Sequence, residues 1–414
     1  MHDSASKPAC VYCKSNGPFS DEHLIPAGLG GDDRRFLLKG LVCADCNTKV
    51  FSPLEAAFLR SSPVAIARMF MQPTGRRRGS KRSTPKVDAQ LKLMVTPDGP
   101  PAEVELGLRG SPVTLPQIIY LSDSECSVTG TDNETVARFL EKTRALLEEA
   151  VLLVEKRTTE DRSVFFDIKR FIWSTDHYVL DSQTASPVAP KVCVWQTSLG
   201  GTDHNASAEH ARFFERREGQ IVMRSSALAP DRALTFFRKA AWQIDLTAAT
   251  IREIRNPLVH VGGMSVDIHI ASRVVAKIGV NLLTFIAGDR YVRQPQFDSI
   301  KQTVLSGYPR LPIMTNDAAE GFAPMFAGVP EGLHAFIVSS ANLPDGTFSI
   351  MVIARLYGSG IEAAKLGENL TQPLAESPVF FTVDYAEHVI ERHTLRDFAT
   401  KFPPLKPATM PPMG

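Results

Sequence analysis

Four cysteines near the N-terminus form two pairs with metal-binding spacing, Cys10-Val-Tyr-Cys13 and Cys43-Ala-Asp-Cys46. Both sulfur atoms of a CxxC turn can reach one ion, and four thiolates complete the tetrahedral shell of structural zinc. A module of this size buries little apolar surface, so metal binding would supply much of its folding free energy. The spacing predicts a structural Zn²⁺ site made of these four cysteines.

Oxygen and nitrogen donors lie between and just after the two pairs, at Glu22, His23 and Asn47. Adjacent residues at a strand end point to opposite sides, so one of Glu22 and His23 can bind a metal ion while the other faces a substrate. A carboxylate and an amide oxygen favour Mg²⁺ or Mn²⁺ over a soft metal. An imidazole can take a proton from water near neutral pH. These groups indicate a hydrolytic site with a second, hard metal ion.

The order of these residues resembles the HNH endonuclease family, in the subgroup with a CxxC, an EHxIP-like segment, a Gly-Gly turn and a CxxCN. The matching segments are 10–13, 22–26, Gly30-Gly31 and 43–47, within roughly the first sixty residues. The resemblance implies a strand–strand–helix (ββα-metal) nuclease module. In it Glu22 and Asn47 would bind the catalytic divalent ion, and His23 would be the general base for phosphodiester hydrolysis.

One position departs from that family. Many members carry an asparagine before the second CxxC that orients the base, and segment 35–41 contains none. Either a backbone carbonyl or another side chain must orient His23. Glu55 follows Ser52 by three residues, and a capping box at a helix start explains it without a ligand role.

Positive charge is concentrated at the same end of the chain. Residues 1–86 carry 14 Lys and Arg against 7 Asp and Glu, a net +7, whereas the rest of the chain carries −6. This asymmetry favours a polyanion as a partner. The family resemblance implies DNA, with RNA less favoured, and a homodimer and an activating ligand or partner protein stay open. The residues predicted to contact phosphates flank the motif or follow it: Arg34, Arg35, Lys39, Lys49, Arg76, Arg77 and Arg78.

The composition is that of a soluble globular protein of two or three domains, with 414 residues and 43% hydrophobic side chains. The most apolar stretch, 274–287, is short for a membrane span and carries Lys277 and Asn281, so no membrane contact is predicted. The first residues lack the pattern of a secretory signal, and the six cysteines do not form a disulfide framework. A cytoplasmic location is expected.

The order of hydrophobic patterns predicts an α+β fold. We expect a nuclease module at 1–71, a basic Pro/Gly/Ser-rich linker at 72–87, an α+β recognition or regulatory region at 88–402, and a Pro-rich tail at 403–414. The expected strands are 36–42, 89–96, 164–173, 335–340 and 347–357, with a hairpin turn at 343–346. The expected helices are 44–51, one from Ser52, one from Pro63 to Met71, 134–156, 231–255 and 267–287.

Three functions fit these observations. The first is a divalent-metal-dependent DNA endonuclease, and the family resemblance suggests restriction or anti-phage defence. The second is a non-catalytic zinc-bearing nucleic-acid-binding protein. The third comes from Arg255 to His260, which resemble the R-N-x-x-x-H signature of HEPN ribonucleases, metal-independent enzymes that act as paired protomers. Pro257 within that signature would break a helix.

Overall fold

The computed structural model describes most of the chain, and the statements below concern the described residues. They are 9–73, 77–78, 81–82, 85–88, 91–95, 100–106, 112–159, 163–197, 210–225, 228–247, 258–262, 267, 269–313, 315–358 and 360–404. Helices and strands are mixed along the chain, and the α+β prediction is confirmed.

The chain forms two compact units. Unit 1 comprises Met1–Asp88 and Ser265–Gly414, and unit 2 comprises Ala89–Met264. The first boundary coincides with the end of the predicted linker. The predicted region 88–402 divides between the units, because its C-terminal part packs with the N-terminal module.

The N-terminal segment of unit 1 has the strand–strand–helix order that the sequence predicts. Its elements are β1 (Phe19–His23), β2 (Leu37–Cys43), α1 (Ser52–Ser61), α2 (Pro63–Met71), β3 (Arg77–Arg78) and β4 (Lys81–Arg82). β1 and β2 are antiparallel, with a bulge between Ser20 and Glu22. A π-helix, Cys46–Phe51, leads directly into α1 and contains both Cys46 and Asn47. Such turns are rare and recur at functional sites.

The glycine pair between β1 and β2 is required by close packing. Gly30 has a φ of 86°, and a Cβ there would lie 2.4 Å from the Cα of Tyr385. A Cβ on Gly31 would lie 2.2 Å from the carbonyl oxygen of Ile25. Gly30 therefore allows the contact between the module and the C-terminal segment, whereas Gly31 allows close packing within the module.

Unit 2 contains twelve described strands and two described helices. They are β5 (Leu91–Val95), β6 (Ala102–Leu106), β7 (Pro112–Thr114), β8 (Gln117–Ser122), β9 (Glu125–Thr129), α3 (Asn133–Leu146), β10 (Ala150–Thr158), β11 (Val164–Ser174), β12 (His177–Ser186), β13 (Val194–Thr197), β14 (Arg212–Glu215), β15 (Ile221–Arg224), α4 (Pro230–Gln243) and β16 (Leu258–Gly262). The strands form an eight-stranded mixed sheet, in the order β12-β11-β10-β13-β15-β14-β8-β9, and a four-stranded sheet, β16-β5-β6-β7. Helices α3 and α4 cover a core of apolar side chains that includes Phe139, Phe213 and Phe237.

Two predicted helices in unit 2 are too long. The helix predicted at 134–156 ends at Leu146, and its second half is β10, a strand with neighbours on both sides. A short apolar run buried on both faces cannot be told from a helix segment by periodicity, which explains the error. The helix predicted at 231–255 ends at Gln243, and residues 244–247 are not helical.

The C-terminal segment of unit 1 contains a five-stranded antiparallel sheet, β19-β18-β17-β20-β21. The predicted hairpin between β17 and β18 is confirmed, because the Leu343 amide donates to the Thr347 carbonyl at 2.8 Å. The elements are α5 (His269–Ala287), α6 (Asp289–Val292), α7 (Asp298–Ser306), α8 (Asn316–Phe322), β17 (Leu333–Asn342), β18 (Phe348–Leu356), β19 (Gly360–Leu370), β20 (Val379–Asp384), β21 (Val389–His393) and α9 (Leu395–Lys401).

Helix α5 is the central helix of unit 1. It is long and apolar enough to cross a membrane, with a mean hydropathy of 1.6, but 72% of that stretch is buried inside the fold. It packs against β18, β19, α1 and α7, as the core helix of a soluble protein does. Two of its buried polar residues, Lys277 and Asn281, contact Glu22 and His23 of the N-terminal module.

Hydrogen bonds join the module to the C-terminal sheet. The Tyr357 hydroxyl donates to Oε1 of Gln72, the residue that follows α2, at 2.7 Å. The backbone amide of Ile390 donates to Asp33 at 3.3 Å. Polar contacts as well as apolar packing thus fix the module within unit 1.

Candidate functional site

The two CxxC pairs form one site, which we call the cysteine cluster (Cys10, Cys13, Cys43, Cys46). Cys10 lies in the N-terminal turn, Cys43 ends β2 and Cys46 begins the π-helix. The four Sγ atoms lie within 4.8 Å of one another. Cys13 and Cys43 are separated by 3.5 Å, and Cys10 and Cys46 by 4.0 Å. Four sulfurs bound tetrahedrally to Zn²⁺ at ~2.3 Å are about 3.8 Å apart. The cluster can bind a metal ion, and its geometry is consistent with structural zinc.

Backbone amides also point at these sulfurs. The Cys43 amide donates to Sγ of Cys10 at 3.4 Å, and the Cys46 amide donates to Sγ of Cys43 at 3.4 Å. The contact with Cys46 lowers the pKa of Cys10 to about 4, and the same contact raises the pKa of Cys46. Amide donors around closely spaced sulfurs favour the thiolate form that binds a cation.

His23 ends β1 with its side chain 23% exposed. Its Nε2 lies 3.7 Å from Oδ1 of Asp32, which is too far for a hydrogen bond. Among the described residues no group hydrogen-bonds to its Nδ1. The His23 carbonyl accepts from Nδ2 of Asn281 at 3.0 Å. Asn281 therefore fixes the backbone at His23, and the carboxylate of Asp32 lies beside the ring.

Glu22 lies on the opposite side of the strand end and is 4% exposed. Its Oε1 accepts from Nζ of Lys277, and at 3.3 Å from Nδ2 of Asn281. Lys277 also donates to Oε1 of Glu55 at 2.6 Å. With Tyr12, whose hydroxyl donates to Oδ1 of Asn281 at 2.7 Å, these residues form what we call the Lys277 cluster (Tyr12, Glu22, Glu55, Lys277, Asn281).

The charges in the Lys277 cluster support an ion pair. Burial lowers the pKa of Lys277, but Glu55 and Glu22 outweigh it and raise that pKa above its usual value, so the ammonium form is held. Burial raises the pKa of Glu22, and Lys277 opposes that shift. The negative charge of Glu22 is therefore compensated from within the chain.

This arrangement disagrees with the prediction that Glu22 is a ligand of the catalytic metal ion. The carboxylate meets the ammonium of Lys277, which comes from 255 residues further along the chain. The capping-box explanation of Glu55 is also wrong, because no described side chain caps α1 and Glu55 binds Lys277.

Asn47 lies on the π-helix beside β1. Its Nδ2 donates to Oγ of Ser20 at 3.1 Å and to the carbonyl of Asp21 at 3.0 Å. Asn47 therefore ties the helix to the strand through its amide nitrogen. Glu22 is bound by Lys277 and Asn281 of α5, whereas Asn47 is bound to Ser20 and Asp21 of β1, so the two side chains share no partner among the described residues.

The basic residues predicted to contact phosphates divide into three groups. Arg34 and Lys39 are exposed. Arg35 and Lys49 are exposed but form ion pairs, with Asp33 at 2.7 Å and with Asp45 at 2.9 Å. Arg77 and Arg78 form β3, and Arg76 lies outside the described residues.

The alternative pair Arg255 and His260 is not on a helix in the described residues. His260 lies in β16, opposite Leu93 of β5, and is exposed. Arg255 lies outside the described residues. Of the ribonuclease signature the structure describes only Leu258–His260, and these residues lie in the strand β16.

Sequence reasoning missed Asp32, Lys277 and Asn281 as parts of this site. A signal for the last two was present, because a lysine and an asparagine four residues apart interrupt an otherwise apolar helix. Buried polar groups require partners, so such a pair predicts a contact elsewhere in the chain. The sequence does not reveal which residues provide it.

No family model matches the chain, and no curated protein or solved structure is significantly similar to it. The proposals below therefore depend on the geometry of the site and on the resemblance of the motif.

Proposed function

We propose that the N-terminal module hydrolyses phosphodiester bonds, with DNA as the preferred substrate and His23 as the general base. The observation that carries this proposal is the setting of His23 at the end of β1. Its ring is partly exposed, and its Nε2 lies 3.7 Å from Oδ1 of Asp32. Its Nδ1 is buried and has no hydrogen-bond partner among the described residues, so Nε2 is the nitrogen that takes the proton. A base that removes a proton from water needs an accessible nitrogen, and a nearby carboxylate stabilises the imidazolium that forms.

The reaction follows from these groups. His23 removes a proton from a water molecule, and the water oxygen bonds to phosphorus while the bond to the 3′ oxygen breaks. Asp32 stabilises the imidazolium that forms. The leaving 3′ oxygen takes a proton from solvent, and the imidazolium returns its own proton to solvent. The exposed Arg34 and Lys39 hold backbone phosphates, a contact that carries no sequence information. In this proposal the cysteine cluster holds Zn²⁺ and keeps β1 and the following helix together.

The divalent ion of the HNH resemblance, Mg²⁺ or Mn²⁺, has no ready site at Glu22 and Asn47. Glu22 is already bound by Lys277, and Asn47 donates its amide to β1. We therefore propose no step through such an ion, and metal dependence is measured directly in the test below.

The test is cleavage of supercoiled plasmid and of RNA by the full chain loaded with zinc, with Mg²⁺, Mn²⁺ or no added divalent ion. His23→Ala should lower cleavage about 10²–10⁴-fold, the usual contribution of a general base. His177→Ala is the matched control, because His177 is an exposed histidine of unit 2 that pairs with Asp176. Equal cleavage by His23→Ala and His177→Ala would contradict the proposal, and RNA cleavage lost only in His260→Ala would favour the ribonuclease.

One observation favours a second function, a non-catalytic zinc-bearing protein that binds nucleic acid. The Lys277 cluster occupies the carboxylate that the HNH resemblance assigns to catalysis. This second function predicts plasmid binding without nicking under every metal condition. In that outcome Arg34→Ala and Lys39→Ala should weaken binding and reduce its salt dependence.

A further inference from the structure

Lys277 is a charged side chain in the interior of unit 1, with none of its side chain exposed. Its ammonium contacts the carboxylates of Glu22 and Glu55, the latter at 2.6 Å. The ring of Phe51 lies 5.2 Å from Nζ. A buried ammonium is tolerated only when it is paired and hydrogen-bonded, so these carboxylates are its structural counter-ions.

Asn281 completes the same site from the next turn of α5. Its Nδ2 donates to Oε1 of Glu22 at 3.3 Å and to the carbonyl of His23 at 3.0 Å. Its Oδ1 accepts from the hydroxyl of Tyr12 at 2.7 Å. Glu22 thus has both a cation and an amide donor before any ion arrives from solution.

We propose that the ammonium of Lys277 is the resident cation of this site, in the place that the HNH resemblance gives to a divalent ion at Glu22. A divalent ion such as Mg²⁺ requires oxygen ligands at ~2.0–2.1 Å and would have to displace the ammonium first. Because Lys277 is fully buried, it contacts neither solvent nor a substrate phosphate. The inference concerns Glu22 alone and stands apart from whether His23 cleaves DNA.

Removal of the ammonium should create a divalent-ion site. Lys277→Met leaves Glu22 and Glu55 without their shared counter-ion, while the Asn281 side chain still lies beside Glu22. Two carboxylates left without a cation repel each other and attract a hard divalent ion. Wild-type protein has no such vacancy.

The test measures Mn²⁺ binding by electron paramagnetic resonance on the full chain with its cysteine cluster loaded with zinc. We compare wild type, Glu22→Gln, Lys277→Met and Glu387→Gln, the last removing an exposed carboxylate of unit 1 as a control. We expect wild type and Glu22→Gln to bind Mn²⁺ equally weakly. Lys277→Met should bind one ion at least tenfold more tightly.

Each outcome decides the inference without reference to cleavage. A saturable Mn²⁺ site in wild type that is lost in Glu22→Gln and kept in Glu387→Gln would overturn it. A folded Lys277→Met without tighter binding would overturn it as well. If Lys277→Met does not fold, the comparison between wild type and Glu22→Gln gives the answer.

Discussion

Two cation sites lie in the same N-terminal module and differ in where their cation comes from. The cysteine cluster gathers four sulfurs within 4.8 Å and offers them to an ion from solution. The Lys277 cluster gathers two carboxylates around an ammonium that the chain itself supplies. The first has ligands from one short segment, whereas the cation of the second lies 255 residues from Glu22. The comparison shows that a motif can predict ligands without predicting what neutralises them.

The largest expected effect comes from breaking the cysteine cluster. Cys46→Ser should release the bound metal and unfold the module, because structural zinc contributes ~10–16 kcal/mol in small domains, as much as a whole domain is worth. Zinc content by atomic absorption and thermal unfolding by circular dichroism measure this. Cys126→Ser, which changes a half-buried cysteine of unit 2, is the control and should keep its metal. An unchanged melting temperature in Cys46→Ser would show that the cluster has no structural role.

Breaking the Lys277 cluster should cost less unfolding free energy than breaking the cysteine cluster. Lys277→Met leaves buried carboxylates uncompensated, and the expected loss is about 3–5 kcal/mol of unfolding free energy. The double variant Glu22→Gln/Lys277→Met should lose less than the sum of the two single variants, because the ion pair is removed as a whole. Urea denaturation of the four proteins gives the coupling. Additive losses would mean that the two side chains do not act as a pair.

The buried histidine His334 of unit 1 shows what burial does to a titratable side chain that has no carboxylate counter-ion among the described residues. His334 is fully buried, and burial together with Arg355 lowers its pKa to about 3. An imidazole with a folded pKa below its unfolded value of ~6.5 takes up a proton on unfolding at intermediate pH, so its contribution is fully present above pH 6.5 and is lost as the pH falls toward 3. Between pH 6.5 and 5 the loss should be about 2 kcal/mol.

The measurement for His334 is urea denaturation across that pH range. His334→Gln should lose this part of the pH dependence while remaining folded at pH 7. If the variant and wild type show the same slope, another group carries the effect.

The smallest effect is expected from an exposed ion pair at the edge of the module. Lys14 pairs with Asp298 at 3.0 Å, with 66% and 42% of the two side chains exposed. Lys14→Met should cost no more than ~1 kcal/mol, because water screens the pair and Lys301 also neutralises Asp298 at 2.8 Å. Urea denaturation beside Lys277→Met tests whether burial alone separates the two lysines. Similar losses of unfolding free energy in Lys14→Met and Lys277→Met would show that burial does not separate the two lysines.

Much of the secondary structure could be predicted where the pattern is local. The segments 36–42, 267–287 and 343–346 lie within about two residues of β2, α5 and the hairpin turn. The prediction failed at β10, because residues on both faces of this central strand are buried and give the same apolar run as a helix. Periodicity reports burial on one face, and it loses its meaning where both faces are buried.

The candidate site could be predicted only in part. The cysteines were found because their ligand spacing is set by the geometry of a short turn. His23 was found at the end of a strand, where the structure places it. The surroundings of Glu22 could not be found, because they depend on how α5 packs against β1, and no local pattern encodes that contact. For the same reason the sequence did not reveal the contacts of Asn47, which was predicted as a metal ligand. Its amide nitrogen donates to the neighbouring strand β1.

The sequence by itself determined the cysteine cluster, the strand–strand–helix order around it and the apolar α5, because each depends on residues close together in the chain. Tertiary structure alone decided that Lys277 meets Glu22 and Glu55, that Asn281 holds the His23 carbonyl and that the C-terminal segment joins the module in unit 1. The physical reason is that a buried charge must find a partner wherever packing places it, and packing depends on the whole fold.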